Sequence, residues 1–398
     1  MHKIIFVQTH PIQYAAPLFK ECTEAGLPIE VWFCEKAANR SGLDKKFGQA
    51  IKWDIPLLEG YVHRFFSNQS WKPSVESGFF GLLNLSILRE LKKTPSSLVV
   101  VYGWNYATTL LLLLFAGRFG HKVALRGEAP ITHEWTKPKW KLAVRRVIFG
   151  KFLFRRIDYA FYIGTRNKEF YQYYGVPDHK LKFTPYAVDN KRFRAAYEQF
   201  KNQKQELRVE LGINPGKKMI LFAGKFTDKK RPMDLLMAFH KLNDENAQVV
   251  FLGEGELRGK MEAYIKEFDL KNVIITGFIN QSKIVKYYAA ADVFVMCSGV
   301  GETWGLSVNE AMNFNLPVIV SDITGCSVDL VKNNGFIYLS GNIEELITAL
   351  DTTLNLSPME VKEFGEHSIT NIKGYLNDKS INTLKHLTKQ RVDENQYA

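Results

Sequence analysis

Short runs of aliphatic and β-branched residues alternate along the chain with stretches whose apolar positions recur every three or four residues. Residues 4–7, 98–102, 122–125 and 159–163 read as strands, and each leads into a region with helical periodicity. The alternation is plainest in the second half, where strands are expected at 219–223, 249–252, 273–276, 293–297 and 317–321 with helices between them. Strand and helix in strict alternation build parallel sheets joined by crossover helices. The fold class is therefore α/β, with doubly wound sheets.

Between the halves, residues 191–206 are polar, charged and poor in β-branched side chains. They end before a turn, Gly212-Ile213-Asn214-Pro215-Gly216, that introduces a new strand. This places one domain at residues 1–200, a second at 201–375, and a final polar helix at 376–398 that packs back on the first. A length of 398 residues with 46% hydrophobic content is enough for two full cores. The apolar run 110–116 is too short to cross about 30 Å of hydrocarbon and reads as a buried helix. At the start, only residues 4–7 are apolar before Gln8 and Thr9, too few for a secretory segment. The four cysteines, Cys22, Cys34, Cys297 and Cys326, have neither zinc-type spacing nor disulfide density. A cytoplasmic protein with reduced thiols is expected. A net charge of +12 implies an anionic partner: nucleic acid, an acidic membrane surface or a phosphate-bearing ligand.

Two polar elements interrupt the pattern where chemistry is expected. One follows the strand that ends near Cys297 and reads Gly301-Glu302-Thr303-Trp304-Gly305-Leu306-Ser307-Val308-Asn309-Glu310-Ala311-Met312. Ligands of doubly wound sheets bind beyond the C-terminal strand ends, where a following helix offers free amides and a positive dipole. Such a place suits a diphosphate with its sugar. Glu302, on the loop, would accept hydrogen bonds from sugar hydroxyls, and Glu310, a turn into the helix, from a ribose diol. A structural alternative stands beside this: Ser307-Val308-Asn309-Glu310 matches a capping box, with Glu310 turned back to the Ser307 amide, and Glu302 is then a solvated loop carboxylate. The other element is Gly224-Lys225-Phe226-Thr227-Asp228-Lys229-Lys230-Arg231-Pro232, again between strand and helix. Lys225 and Lys230 are placed to neutralise a leaving diphosphate; the alternative is an exposed basic loop.

In this order and separation the two elements resemble the donor site of the family 4 glycosyltransferases, a likeness that extends over most of the chain. In that family a Gly-Arg-loop-Lys-Gly element follows a strand and binds the donor diphosphate. Here Gly224 is followed by Lys225 at the arginine position, Lys230 stands at the lysine, and Arg231 replaces the glycine. Lysine keeps the charge and loses the bidentate geometry of arginine. The family's pair of glutamates with seven residues between them matches Glu302 and Glu310, and its Gly-Phe-Gly turn is Thr303-Trp304-Gly305 here. Gly253-Glu254-Gly255 and Gly277-Phe278 resemble the strand ends around the nucleoside. Phe183-Thr184-Pro185-Tyr186-Ala187-Val188-Asp189 resembles an interdomain segment, with Tyr186 and Ala187 as departures.

The resemblance implies the GT-B fold, two Rossmann-like domains facing a central cleft, with acceptor bound by the first and donor by the second. It implies transfer with retention and without a metal, from a nucleotide sugar with UDP favoured. Glu302, Lys225 and Lys230 would be catalytic. Glu310, Gly224, Glu254, Phe278, Thr303, Trp304, Gly305 and Leu306 would line the donor. Independently, the chain contains no Asp-x-Asp of the kind that holds a cation for donor phosphates.

In the first half, Gln8-Thr9-His10-Pro11-Ile12-Gln13 follows the first strand where relatives carry glycines. His10 is a candidate to line the donor site, against a role in shaping the loop beside Pro11. Arg126-Gly127-Glu128 ends another strand, where related enzymes place a polar group toward the reacting centre. Glu128 is the acceptor-facing candidate, unless Arg126 locks it in a structural ion pair. From Trp135 to Arg156, basic residues interleave with Trp140, Phe149, Phe152 and Phe154. That mixture suits an anionic membrane and a lipid-linked acceptor; the alternative is a helix with core aromatics and solvated charges.

The expected function is thus a retaining glycosyltransferase acting on a glycan or lipid-linked acceptor in bacterial surface polysaccharide biosynthesis, peripheral on the cytoplasmic face of the inner membrane. Two rivals share the donor-site logic: a nucleotide-sugar epimerase, and a non-catalytic subunit that binds a sugar nucleotide or glycan. No nucleic-acid-binding module is recognisable, so nucleic acid is not an expected partner.

Overall fold

The computed structural model describes residues 3–35 and 53–396, with side chains through Lys389. The chain falls into two compact units. One contains residues 56–186 with the N-terminal segment and residues 376–398; the other contains residues 187–375 and the short segment that ends at Ile55.

The first unit is built on seven parallel strands: β1 (Ile4–Gln8), β2 (Ile29–Phe33), β3 (His63–Phe65), β4 (Leu98–Tyr102), β5 (Lys122–Arg126), β6 (Tyr159–Tyr162) and β7 (Leu181–Phe183). Their order across the sheet is β3-β2-β1-β4-β5-β6-β7. A parallel sheet covered by helices is buried on both faces, so its central strands are almost wholly apolar. Successive side chains point to opposite faces: Ile5 and Val7 enter one core with Trp32, Val99 and Leu112, while Ile4 and Phe6 enter another with Phe19, Val31 and Phe161.

The second core is closed by the helix Asn377–Gln396, which contributes Ile381, Leu384 and Leu387. Asn377 donates to the Glu21 carboxylate at 2.8 Å and Thr383 to the Phe183 carbonyl at 2.8 Å. Burying each leucine contributes roughly 1.5–3 kcal/mol.

The second unit has six parallel strands: β8 (Lys218–Ala223), β9 (Ala247–Leu252), β10 (Val273–Gly277), β11 (Val293–Met296), β12 (Val318–Ser321) and β13 (Gly335–Tyr338). Their order is β10-β9-β8-β11-β12-β13. Both sheets follow the doubly wound Rossmann order, in which successive strands first add to one side of the starting strand and then to the other.

The domain limits differ from those expected at residues 200 and 201. The division falls after Tyr186. The helix Asn190–Phe200 is polar in composition yet belongs wholly to the second unit: Phe193 packs on Tyr288 and Phe314, Arg192 bonds Gln281, and Arg194 reaches the Asn313 carbonyl at 2.7 Å. Trp53 and Asp54 also sit in the second unit, although the strands on either side of them in sequence belong to the first. Part of the expected first domain, residues 1–2 and 36–52, and the final two residues of the expected C-terminal helix lie outside the described residues.

Candidate active site

β8 and β11 are hydrogen-bonded neighbours, with Ile220 beside Val293 and Leu221 beside Phe294. The chain leaves β8 toward β9 on one side and leaves β11 toward β12 on the other, so a crevice opens where the two following loops diverge. Both polar elements found in the sequence are these loops.

The loop after β8 is fixed by backbone contacts. The Gly224 amide donates to Leu252 at 3.0 Å and the Phe226 amide to the Glu254 carbonyl at 2.9 Å, with the Phe226 ring buried beneath. Gly253 has φ +155°, and a Cβ there would lie 1.9 Å from the Gly224 oxygen, so no side chain fits between the ends of β8 and β9. The loop ends at Arg231, a left-handed residue with φ 49° directly before the helix Pro232–Leu242. This conformation is one that glycine adopts without strain, which accounts for the glycine at this position in the family pattern. Here the Arg231 guanidinium is held by Asp234 at 2.6 Å.

The loop after β11 meets it directly. The Gly299 amide donates to the Lys229 carbonyl at 2.7 Å, and the Glu302 carboxylate pairs with Lys230 Nζ at 2.6 Å and with Lys229 Nζ at 3.6 Å. Ser298 Oγ donates to the same carboxylate at 3.2 Å. Glu302 is buried, not the solvated loop residue of the alternative reading. Burial by itself raises its pKa, but the charges of Lys230 and Lys229 and the hydrogen bonds from Lys230 and Ser298 outweigh it and hold the carboxyl below its ordinary value. Lys229 and Ser298 were not singled out from sequence, although Lys229 lies within the basic run. Lys225, half-buried, stands directly after Gly224 at the mouth of β8.

Gly305 turns this loop into the helix Leu306–Met312. With φ +103° it is the N-cap, and a Cβ there would lie 2.7 Å from Met296 Sδ and 2.9 Å from Thr324 Cγ2. The helix therefore begins ahead of Ser307, which cannot serve as its cap, and no capping box forms. Glu310 instead accepts a hydrogen bond of 2.7 Å from the Tyr288 hydroxyl. Tyr288 is buried on the helix Gln281–Ala290, where its sequence signal is that of any core aromatic.

Other expected donor contacts are placed unevenly. Thr303 and Leu306 are half-buried in the loop and first helical turn. Trp304 does not offer its side chain: the ring is buried, its Nε1 donates to Asn309 Oδ1 at 2.9 Å, and it lies against Tyr375. The Glu254 carboxylate is engaged by Arg258 one turn later. Phe278 follows β10 and meets the edge of Trp53 at 6.0 Å. Asp54, next to Trp53, accepts from the Ser282 amide at 3.1 Å and from its hydroxyl. Nothing local in sequence connects these residues with a strand end more than two hundred positions later.

His10 and Glu128 lie on the first unit, after β1 and β5. The His10 ring bonds Thr9 Oγ1 at 2.8 Å. Glu128 hydrogen-bonds the Tyr186 hydroxyl, whose pKa is pushed up first by burial and then by this carboxylate. Arg126 is buried between the Tyr102 and Tyr186 rings and donates to the Thr184 carbonyl at 2.9 Å and to its hydroxyl at 2.8 Å. It thereby fixes the segment that carries Tyr186.

The description "Glycosyl transferases group 1" matches residues 203–368, the span that contains both loops. Over that span the chain is similar to the group 1 glycosyl transferases. The chain is 32% identical over 157 residues to an uncharacterized glycosyltransferase of Methanocaldococcus jannaschii, a match covering 38% of this chain and 40% of that one. A Campylobacter jejuni GalNAc-alpha-(1->4)-GalNAc-alpha-(1->3)-diNAcBac-PP-undecaprenol alpha-1,4-N-acetyl-D-galactosaminyltransferase is 24% identical over 310 residues, 75% of each chain. The chain spans well under half the length of the first curated relatives it matches. Among solved structures, Anabaena HepE in complex with UDP and glucose has a TM-score of 0.71 at 15% identity, covering 98% of this chain and 100% of that one. The two Rossmann-like units thus have the GT-B fold.

Proposed function

We propose that the chain is a retaining glycosyltransferase that moves a sugar from a nucleotide diphosphate sugar to a hydroxyl of a glycan or lipid-linked acceptor. The observation that carries this reading is the buried Glu302 carboxylate held by Lys230 and Lys229 at the switch point of the second sheet. It brings two ammonium groups and a carboxylate together at the strand ends where a diphosphate and its sugar would lie.

When the donor enters, its phosphate oxygens take over the lysine ammonium groups, with Lys225 as a further cation, and Glu302 is released to the sugar hydroxyls. Glu310, oriented by Tyr288, accepts from the ribose diol. The bond between the anomeric carbon and the diphosphate breaks as the lysines neutralise the departing charge. The acceptor oxygen bonds to the same face of an oxocarbenium-like centre, and its proton passes to the departing phosphate oxygen. Fixed lysines supply the charge that a divalent cation would otherwise supply, so the reaction proceeds without one.

UDP is the favoured nucleotide, in keeping with the family resemblance and with the ligand of the Anabaena neighbour. A lipid-linked acceptor is favoured because the Campylobacter relative is described as acting on an undecaprenol-linked glycan. On this reading the enzyme works peripherally, at the cytoplasmic face of a membrane. No helix among the described residues is long and apolar enough to cross one. Glu128 is the proposed acceptor-side carboxylate and His10 a polar contact on the first unit.

The test is a thermal-shift screen against UDP-, GDP- and ADP-sugars with and without EDTA, since a ligand bound only by the folded state raises its stability by mass action. It is followed by product analysis with an undecaprenyl-linked acceptor. A selective shift lost in Lys225→Ala, with an α-configured product, supports the proposal. A change of donor configuration without acceptor would make the protein an epimerase, and no shift with any sugar nucleotide would remove the donor site.

A further inference from the structure

The segment around Trp140 has two apolar faces, and only one of them is needed by the core. Helix Lys139–Arg145 continues into the π-helical stretch Arg146–Leu153 and the short turn Phe154–Arg156. Phe149, Leu153 and Phe154 point inward and join the core of the first unit. Arg145 also faces inward, clamping the buried Glu134 carboxylate at 3.0 and 3.1 Å and so fixing the helix on the fold.

The opposite face carries Trp140, Val144, Val147, Ile148 and Phe152 at successive helical turns. All are exposed, Trp140 by 64% and Phe152 by 55%. A solvated helix face is ordinarily polar, and a contiguous apolar stripe bordered by charge marks a surface that meets another phase or molecule. From Trp135 to Arg156 the chain has eight lysines and arginines and no acidic residue.

Beside the stripe lies a cavity of about 660 Å³. Arg146, Lys151, Arg155 and Lys180 contribute to its wall, with Phe154 and Tyr174 between them and no carboxylate. At its wall Gly150 packs directly on Tyr174: a Cβ at Gly150 would be 2.8 Å from the Tyr174 carbonyl oxygen. Four cations around an amphipathic hollow match the phosphate and glycerol of a phospholipid headgroup, while the stripe matches the acyl boundary behind it.

We infer that this face docks on an anionic phospholipid bilayer, with Trp140, Val144, Ile148 and Phe152 entering the interface and one lipid phosphate seated among Arg146, Lys151, Arg155 and Lys180. The inference does not depend on the nucleotide or sugar of the proposed transfer.

The experiment is flotation of the purified full chain with vesicles of phosphatidylcholine alone or with 30% phosphatidylglycerol, at about 0.15 M salt. A UDP-induced thermal shift on the same samples reports the donor site separately. At least tenfold tighter binding to the phosphatidylglycerol vesicles is expected. W140S/F152S should lose most binding. R146A/R155A should weaken the anionic preference by roughly fivefold per charge. The substituted side chains are exposed, so both variants should retain the fold, checked by circular dichroism. Absence of vesicle binding, equal binding to both compositions, wild-type binding by both variants, or equally tight binding of transfer RNA would each overturn the inference.

Discussion

The Tyr288 hydroxyl donates to the Glu310 carboxylate at 2.7 Å, and this bond joins the helix Gln281–Ala290 to the first turns of the helix that follows β11. Tyr288→Phe removes the bond and keeps the ring packing. The variant should lose about 1.5–3 kcal/mol of stability in urea titrations. If Glu310 holds the ribose, the donor KM should rise roughly tenfold with kcat changed much less.

Glu302→Gln and Lys230→Ala separate the two sides of the central ion pair. Each should lower kcat by roughly a hundred- to a thousandfold, with unchanged circular dichroism. Lys230→Ala also leaves Glu302 buried with Lys229 more distant at 3.6 Å, so it should be the less stable of the two by about 1–2 kcal/mol. Near-wild-type turnover in both would remove them from the reaction.

The Glu302 carboxyl is held below its ordinary value near 4.5 in the folded chain. A group with a lowered folded pKa contributes stability that is fully present above its unfolded value and is lost as pH falls through its folded value. Unfolding free energy should therefore drop below about pH 4.5. Glu134 is lowered as well, despite burial, by the Tyr174 hydroxyl with Lys137 and Arg145, and Asp292 by Lys204 and Arg208, so both add to the same slope. The part due to Glu302 is the difference between wild type and Glu302→Gln across pH 3 to 6, and identical slopes would contradict the assignment.

Gly305→Ala combines a left-handed φ with contacts under 3 Å. It should cost about 2 kcal/mol or more in stability and abolish donor-induced thermal shifts. Unchanged stability would mean the loop can be rebuilt at little cost.

Cys22, Cys34, Cys297 and Cys326 are buried and outside disulfides. Burial pushes the thiols of Cys22, Cys34 and Cys297 up to about 12. Fewer than one thiol should react with Ellman's reagent in the native protein at pH 8, and four after denaturation. Rapid native labelling would contradict this burial.

Most of the sheet architecture is legible in the sequence because central parallel strands are nearly continuous in apolar residues. β2 escapes that pattern through Glu30, a carboxylate inside the strand that Lys3 and Arg64 neutralise. β3, β7 and β13 lie at sheet edges and have only three or four residues each. Of the residues at the candidate site, Glu302, Glu310 and Lys230 stand out in sequence because charged side chains interrupt a strand-to-helix turn. Tyr288 and Trp53 could not, since a core aromatic and a residue beside a distant strand acquire their place only when the chain is folded. Trp304 looked like a ligand contact for the opposite reason: a tryptophan between glycines shows nothing in sequence of the Asn309 that draws it inward.

The helix that contributes Ile381, Leu384 and Leu387 completes a core begun by Ile4 and Phe6. During synthesis the second unit can have its whole sheet in hand while the first still lacks one wall, so the portion made earlier is the portion finished later. Until residues 376–389 have emerged, the part of that core not covered by the helix Ala16–Glu24 stays open to water and to other chains. Chaperone dependence and aggregation of nascent chains should therefore concentrate in that interval, and a stop codon near residue 376 should harm the first unit more than the second.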